Sequence, residues 1–234
     1  MPSNITRKEL KQDKFAVEVA HGVDYFSGHR KNFVLYGGIA LVVIAIAAGI
    51  YYYRNRQIAV RNQELGEAIA LGNAPVGQAS PSGGPSFPTE QARADAVAKA
   101  FQKVISDYSG SQEAYVAEYL LASQSTDAGK LDDAGRKYQD VADHADANYA
   151  SLAKLSLAQI DSSTGHQADA EKLLKDLMDH PTDLVSKGQS TIAYAKAIAP
   201  ARPDEASKLL TGLMNPPTDI SSIAAAALLD LPQK

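Results

Sequence analysis

The chain contains no cysteine and no tryptophan among its 234 residues. Without thiols it forms no disulfide, builds no thiolate zinc site and performs no cysteine-based catalysis. Neither sign of charge dominates overall, with 23 Lys and Arg against 27 Asp and Glu. From Pro88 onward, however, the balance is 14 against 21, a net of −7. An acidic domain of that kind repels phosphate backbones, which makes nucleic acid a poor partner.

Catalytic patterning is also missing. The five histidines, His21, His29, His144, His166 and His180, never fall into the His-Glu-x-x-His spacing or another ligand spacing on one helix face. His144 lies near Asp143 and Asp146, but at a predicted helix end, where an imidazole meets the helix dipole favourably. No Gly-x-Ser-x-Gly occurs, and Gly83-Gly84 is not followed by the Gly-Lys-Ser/Thr of a phosphate loop. The acid pairs Asp132-Asp133 and Asp204-Glu205 open predicted helices, where carboxylates offset the dipole. The sequence therefore predicts a protein that is not an enzyme, with no catalytic residue, metal site, cofactor or small-molecule substrate.

Long hydrophobic runs are scarce too: there is one. Phe33 to Tyr53 reads FVLYGGIALVVIAIAAGIYYY, 21 positions without a charge. A helix of that length rises roughly 30 Å, the thickness of a bilayer's hydrocarbon core. A secretory signal has a shorter apolar core and ends in a small-residue cleavage site. This run instead exits into Tyr51-Tyr52-Tyr53-Arg54-Asn55-Arg56, the aromatic and basic residues of a headgroup region. Residues 33–53 thus read as a single transmembrane helix. Close to the span the basic residues tie, with Lys14, Arg30 and Lys31 before it and Arg54, Arg56 and Arg61 after it. Counting Arg7, Lys8 and Lys11 as well, the tail carries six, and the expectation is a cytoplasmic N-terminus.

Residues 1–32 form that tail. Phe15, Val19, Val23 and Phe26 share one face of a helix, which either rests on the membrane surface or docks a partner. After the span, 54–72 keeps a helical pattern and extends the membrane helix. Residues 73–88, NAPVGQASPSGGPSFP, have no hydrophobic periodicity and read as a linker.

Residues 89–234 carry a repeat. The triplets Val97-Phe101-Val104, Ala134-Tyr138-Val141, Ala170-Leu174-Leu177 and Ala206-Leu210-Leu213 each space four then three, one face of a helix. They start 37, 36 and 36 residues apart. Gly129 and Gly165 precede two of them at the same offset, where a glycine ends one helix and turns the chain into the next. Helices are predicted over 90–107, 113–127, 131–144, 148–163, 167–179, 184–198 and 203–214, with a cap over 219–230. A period in the mid-thirties with two helices per unit is the mark of a helical solenoid.

These residues resemble the tetratricopeptide repeat. Ala134 and Tyr138, and Ala170 and Leu174, match the small-then-large pair of its second helix. Leu121-Ala122 and Leu157-Ala158 match the pair in its first. Ser125 and Asp161 stand where that family has an aromatic, and Pro200 and Pro203 replace the last glycine turn. The resemblance implies an all-α chain: one transmembrane helix followed by a tetratricopeptide-like right-handed helical solenoid. It also implies a concave, partner-binding side lined by the first helices, with Tyr119, Ser123, Thr126, Leu155, Gln159 and Ser162 towards the groove. Tyr119 and Leu155 are equally readable as core.

The layout as a whole, from Ile5-Thr6-Arg7-Lys8-Glu9-Leu10-Lys11 through the span into the repeats, resembles the ancillary subunit of the bacterial SecYEG translocon. That implies an inner-membrane protein with its repeats in the periplasm, whose partners are translocon subunits and periplasmic chaperones. The alternative is an envelope-assembly or cell-division adaptor without translocon contact.

Overall fold

The structure, a computed structural model, describes residues 30–78, 83–215 and 219–231. The amphipathic face expected from Phe15 to Phe26 lies outside the described residues. The chain divides into two units, one ending at Ala59 and the other beginning at Val60.

The apolar run belongs to α1 (Arg30–Gly72), an uninterrupted helix of 43 residues. Within the first unit Val34, Leu41, Ile44 and Ile50 all expose more than half of their surface. The apolar residues occur on every side of the helix, as in a membrane span and unlike the one-sided stripe of a surface helix. The helix is long and apolar enough to cross a membrane.

In the second unit the last turns of α1 are followed by α2 (Glu90–Asp107), α3 (Gln112–Asp127), α4 (Leu131–His144), α5 (Ala147–Thr164), α6 (Gln167–Asp179), α7 (Lys187–Ile198), α8 (Pro203–Gly212) and α9 (Ser221–Leu229). Among the described residues there is no strand, only an isolated bridge between Val76 and Phe87. That bridge ties the two ends of the Pro/Gly-rich stretch: Gly77 donates to the Phe87 carbonyl at 2.9 Å and Phe87 to the Pro75 carbonyl at 3.0 Å.

Side-chain oxygens set several helix starts by accepting otherwise orphaned backbone N–H groups. Thr89 caps α2, Ser111 caps α3 and Asp146 caps α5. At α7, Ser186 and Gln189 bond reciprocally in a capping box. The two repeat glycines adopt the left-handed conformation, with φ of 72° at Gly129 and 89° at Gly165. Each is followed by the same closure, Lys130 donating to the Ser125 carbonyl and His166 to the Asp161 carbonyl, both at 2.8 Å. The hairpins thus repeat to the level of single hydrogen bonds.

Packing follows the triplets. Ala134, Ala170 and Ala206 are completely buried, and Phe101, Tyr138, Leu174 and Leu210 fill the space four residues on. Ala122 and Ala158, on the first helices of two hairpins, are likewise fully buried. From α2 onward each helix packs on the next. In addition α3 touches α5, α5 touches α7 and α7 touches α9, whereas the backbones of α2, α4, α6 and α8 do not approach one another. The result is an inner layer of first helices and an outer layer of second helices. The end of α1 completes the first hairpin, since Leu65 and Ala68 are buried with Phe101, Val104 and Leu121. Its position is fixed by polar contacts as well, with Lys103 Nζ at 2.6 Å and the Tyr108 hydroxyl at 2.8 Å from the Glu64 carboxylate. The final helix α9 stands in the inner layer, packed on α7 and α8. Gly188 permits its approach, because a Cβ there would lie 3.0 Å from Ile220 Cγ1.

Candidate functional site

A solenoid offers partners the surface of its inner helices. The six residues expected there lie on two of them, Tyr119, Ser123 and Thr126 on α3 and Leu155, Gln159 and Ser162 on α5. The two helices are neighbours in the inner layer.

The six differ in what they touch. Tyr119 is half-buried, its ring centroid 5.4 Å from that of Tyr138 and 6.1 Å from that of Tyr149. Its hydroxyl lies 3.5 Å from Ser156 Oγ, so one side chain bridges α3, α4 and α5. Leu155 is half-buried against the large cluster around Leu174 and Ile198. Thr126 spends its hydroxyl on the Ala122 carbonyl, 3.1 Å away on its own helix. The Ser162 hydroxyl is buried without a hydrogen-bond partner. Gln159 is exposed. Ser123 is half-buried and lines a shallow cleft of about 320 Å³ together with Leu120 of α3, Val97 and Phe101 of α2, and Ile69 at the end of α1.

Sequence reasoning missed the α1 side of this cleft. Ile69 reaches it across the intervening 73–88 stretch, and no fixed spacing links the two. The cleft rim is charged: Glu90 pairs with Arg93, Arg93 also donates to the Ala74 carbonyl at 3.2 Å, and Asp127 is exposed.

Beside Tyr119 lies a second feature without a sequence signal. Glu118 of α3 is half-buried against α4. Burial foremost, and then the adjacent Asp140, push its carboxyl up to about 7. Asp140 in turn approaches His144, with Nδ1 3.1 Å from its carboxylate, and Tyr115 stacks on the His144 ring at 6.2 Å. Elsewhere the carboxylates that join helices are held low by their cations. Lys154 of α5 reaches Asp176 of α6 at 2.7 Å, and that hydrogen bond keeps Asp176 below the usual carboxylate range. Asp133, at the start of α4, is lowered by hydrogen bonds from Lys137 and Ser125.

Of the six, Gln159 is exposed and Ser123 lines the cleft, whereas the polar or apolar groups of Tyr119, Thr126, Leu155 and Ser162 are engaged or buried within the fold. No nucleophile among them is seated beside a base. Among the described residues no three His, Asp or Glu side chains converge as a metal site.

Comparison with known proteins agrees with this architecture. A family model, the tetratricopeptide repeat-like domain, matches residues 29–183, two thirds of the chain. The match takes in all of α1 and the hairpins up to α6. No curated protein and no solved structure matches the chain. Repeat domains of this kind are typically non-catalytic protein-interaction modules. On the family match and the paired helices, the chain belongs to the tetratricopeptide repeat-like domain family.

Proposed function

We propose that this protein is a membrane-anchored scaffold of the bacterial cell envelope, an accessory factor at the Sec translocon that links it to periplasmic chaperones. The observation that carries the reading is a continuous helix joining an apolar span to repeat hairpins, within one family match. Anchoring by α1 confines the repeats to the membrane surface, where a partner bound on the inner layer is held close to other membrane proteins. Concentration of that sort raises occupancy without any new contact. The N-terminus is cytoplasmic and the repeats are periplasmic in this reading, supported by the six basic residues before the span.

Protease added to each side of sealed membranes tests the topology: the repeats are expected to be cut only from the periplasmic side. A photo-crosslinker at Gln159, exposed on α5, tests the partner. Adducts with translocon subunits or periplasmic chaperones support the proposal. Adducts confined to division or cell-wall enzymes replace it with an envelope-assembly adaptor.

A further inference from the structure

The cleft where the end of α1 meets α2 and α3 has an apolar floor of Ile69, Val97, Phe101 and Leu120. Phe101 is buried and Val97 and Leu120 are half-buried, but Ile69 leaves 43% of its surface in solvent. A hollow of about 320 Å³ is too small for a helix and large enough for one aliphatic side chain with the backbone that carries it.

Its rim is unevenly matched in charge. Among the described residues that line the cleft, Glu90, Arg93 and Asp127 are the charged ones. Arg93 is already spent, pairing with Glu90 and donating to the Ala74 carbonyl at 3.2 Å. Asp127 stands exposed at the end of α3, and no ion pair among the described residues reaches it, from Lys130 three residues on or from any other cation. An uncovered apolar hollow thus adjoins one surplus negative charge, in a repeat domain that is itself acidic.

We propose that this cleft seats an apolar-basic segment of a partner protein, an aliphatic side chain entering the hollow while a neighbouring Lys or Arg reaches the Asp127 carboxylate. The inference rests on the interaction-scaffold reading and names the chemistry of what that surface receives. Burial of the aliphatic group supplies affinity, and the charge pair supplies discrimination. An acidic segment meets repulsion at Asp127, a wholly polar one leaves the hollow to water, and a second copy of this acidic domain approaches against its own field.

The test uses the full-length chain in detergent micelles and short labelled peptides of Gly and Ser that carry Leu-Lys, Leu-Glu or Ser-Lys at their centre, read by fluorescence anisotropy. The Leu-Lys peptide is expected to bind best. Asp127→Lys should weaken it by about fivefold and strengthen the Leu-Glu peptide, because reversing one surface charge exchanges attraction for repulsion. Ile69→Ser should weaken the Leu-Lys peptide by about as much, whereas Leu229→Ser, at an exposed apolar position on α9, should not. Added salt gives a reading on the unmodified chain alone: it should weaken the Leu-Lys peptide and leave the preference for Leu-Lys over Ser-Lys in place. Equal binding of the three peptides, or binding of none, overturns the proposal and leaves the scaffold reading to the Gln159 adducts. A photo-crosslinker at Ser123 that joins only two copies of the chain, or only lipid, overturns it as well.

Discussion

At the scale of single residues the repeat domain separates positions that hold the fold from positions free to meet a partner. Leu174 is 2% exposed and lies in the largest core cluster, four residues after the completely buried Ala170. Truncating it leaves a cavity that close-packed neighbours cannot fill. Leu174→Ala should lower unfolding stability by about 2–5 kcal/mol, measured by urea titration. Gln159 is exposed, and surface changes away from caps and core stay within about 0.5 kcal/mol. Gln159→Arg should therefore leave the urea midpoint unchanged while reducing partner crosslinking from neighbouring positions. A loss of stability in Gln159→Arg would remove it from the interaction surface. Tyr119 belongs to neither class cleanly, because it is half-buried and serves as a rivet among three helices.

At the scale of elements the controlling features are the turns. Gly165 ends α5 with φ of 89° and nothing crowds the place of a Cβ, so the cost of a side chain there is conformational rather than steric. Gly165→Ala should destabilise the domain by about 1–2 kcal/mol, visible as a lower melting midpoint. An unchanged midpoint would mean that the turn relaxes to another closure. Most helix boundaries were legible for the same reason: glycines, caps and a four-three apolar spacing act over a few residues. The seven interior helices fall within three residues of their expected bounds. The largest gap is at α7, predicted from 184 and observed from Lys187, because Thr182 accepts from Val185 N and Ser186 then caps the helix. What was not legible involves contacts between distant segments. The approach of Ile69 to Phe101 spans a linker with no repeat spacing, and the partial burial of Glu118 depends on the α3–α4 hairpin, in whose sequence that acid does not differ from its exposed neighbours.

At the scale of the whole molecule the two units use apolar side chains oppositely. In the repeats most of them are buried within the chain. On α1, Val43 exposes 58% of its surface and the residues around it are equally uncovered. In water such a surface is unfavourable at roughly 25 cal/mol per Å², and in the proposed membrane-anchored reading lipid covers it. Val43 lies at the midpoint of the 33–53 run, where an arginine costs about 2.5–3.5 kcal/mol of insertion free energy. Leu184 supplies the contrast, since it is 41% exposed on the loop between α6 and α7 in the second unit. Val43→Arg should shift much of the chain from the carbonate-resistant membrane pellet to the supernatant, whereas Leu184→Arg should leave the distribution unchanged. Equal extraction of the two variants would mean that the surface of α1 is covered by protein rather than lipid. The scaffold would then need a different anchor, because repeats that are not held at the membrane gain nothing from the proximity on which the proposed function depends.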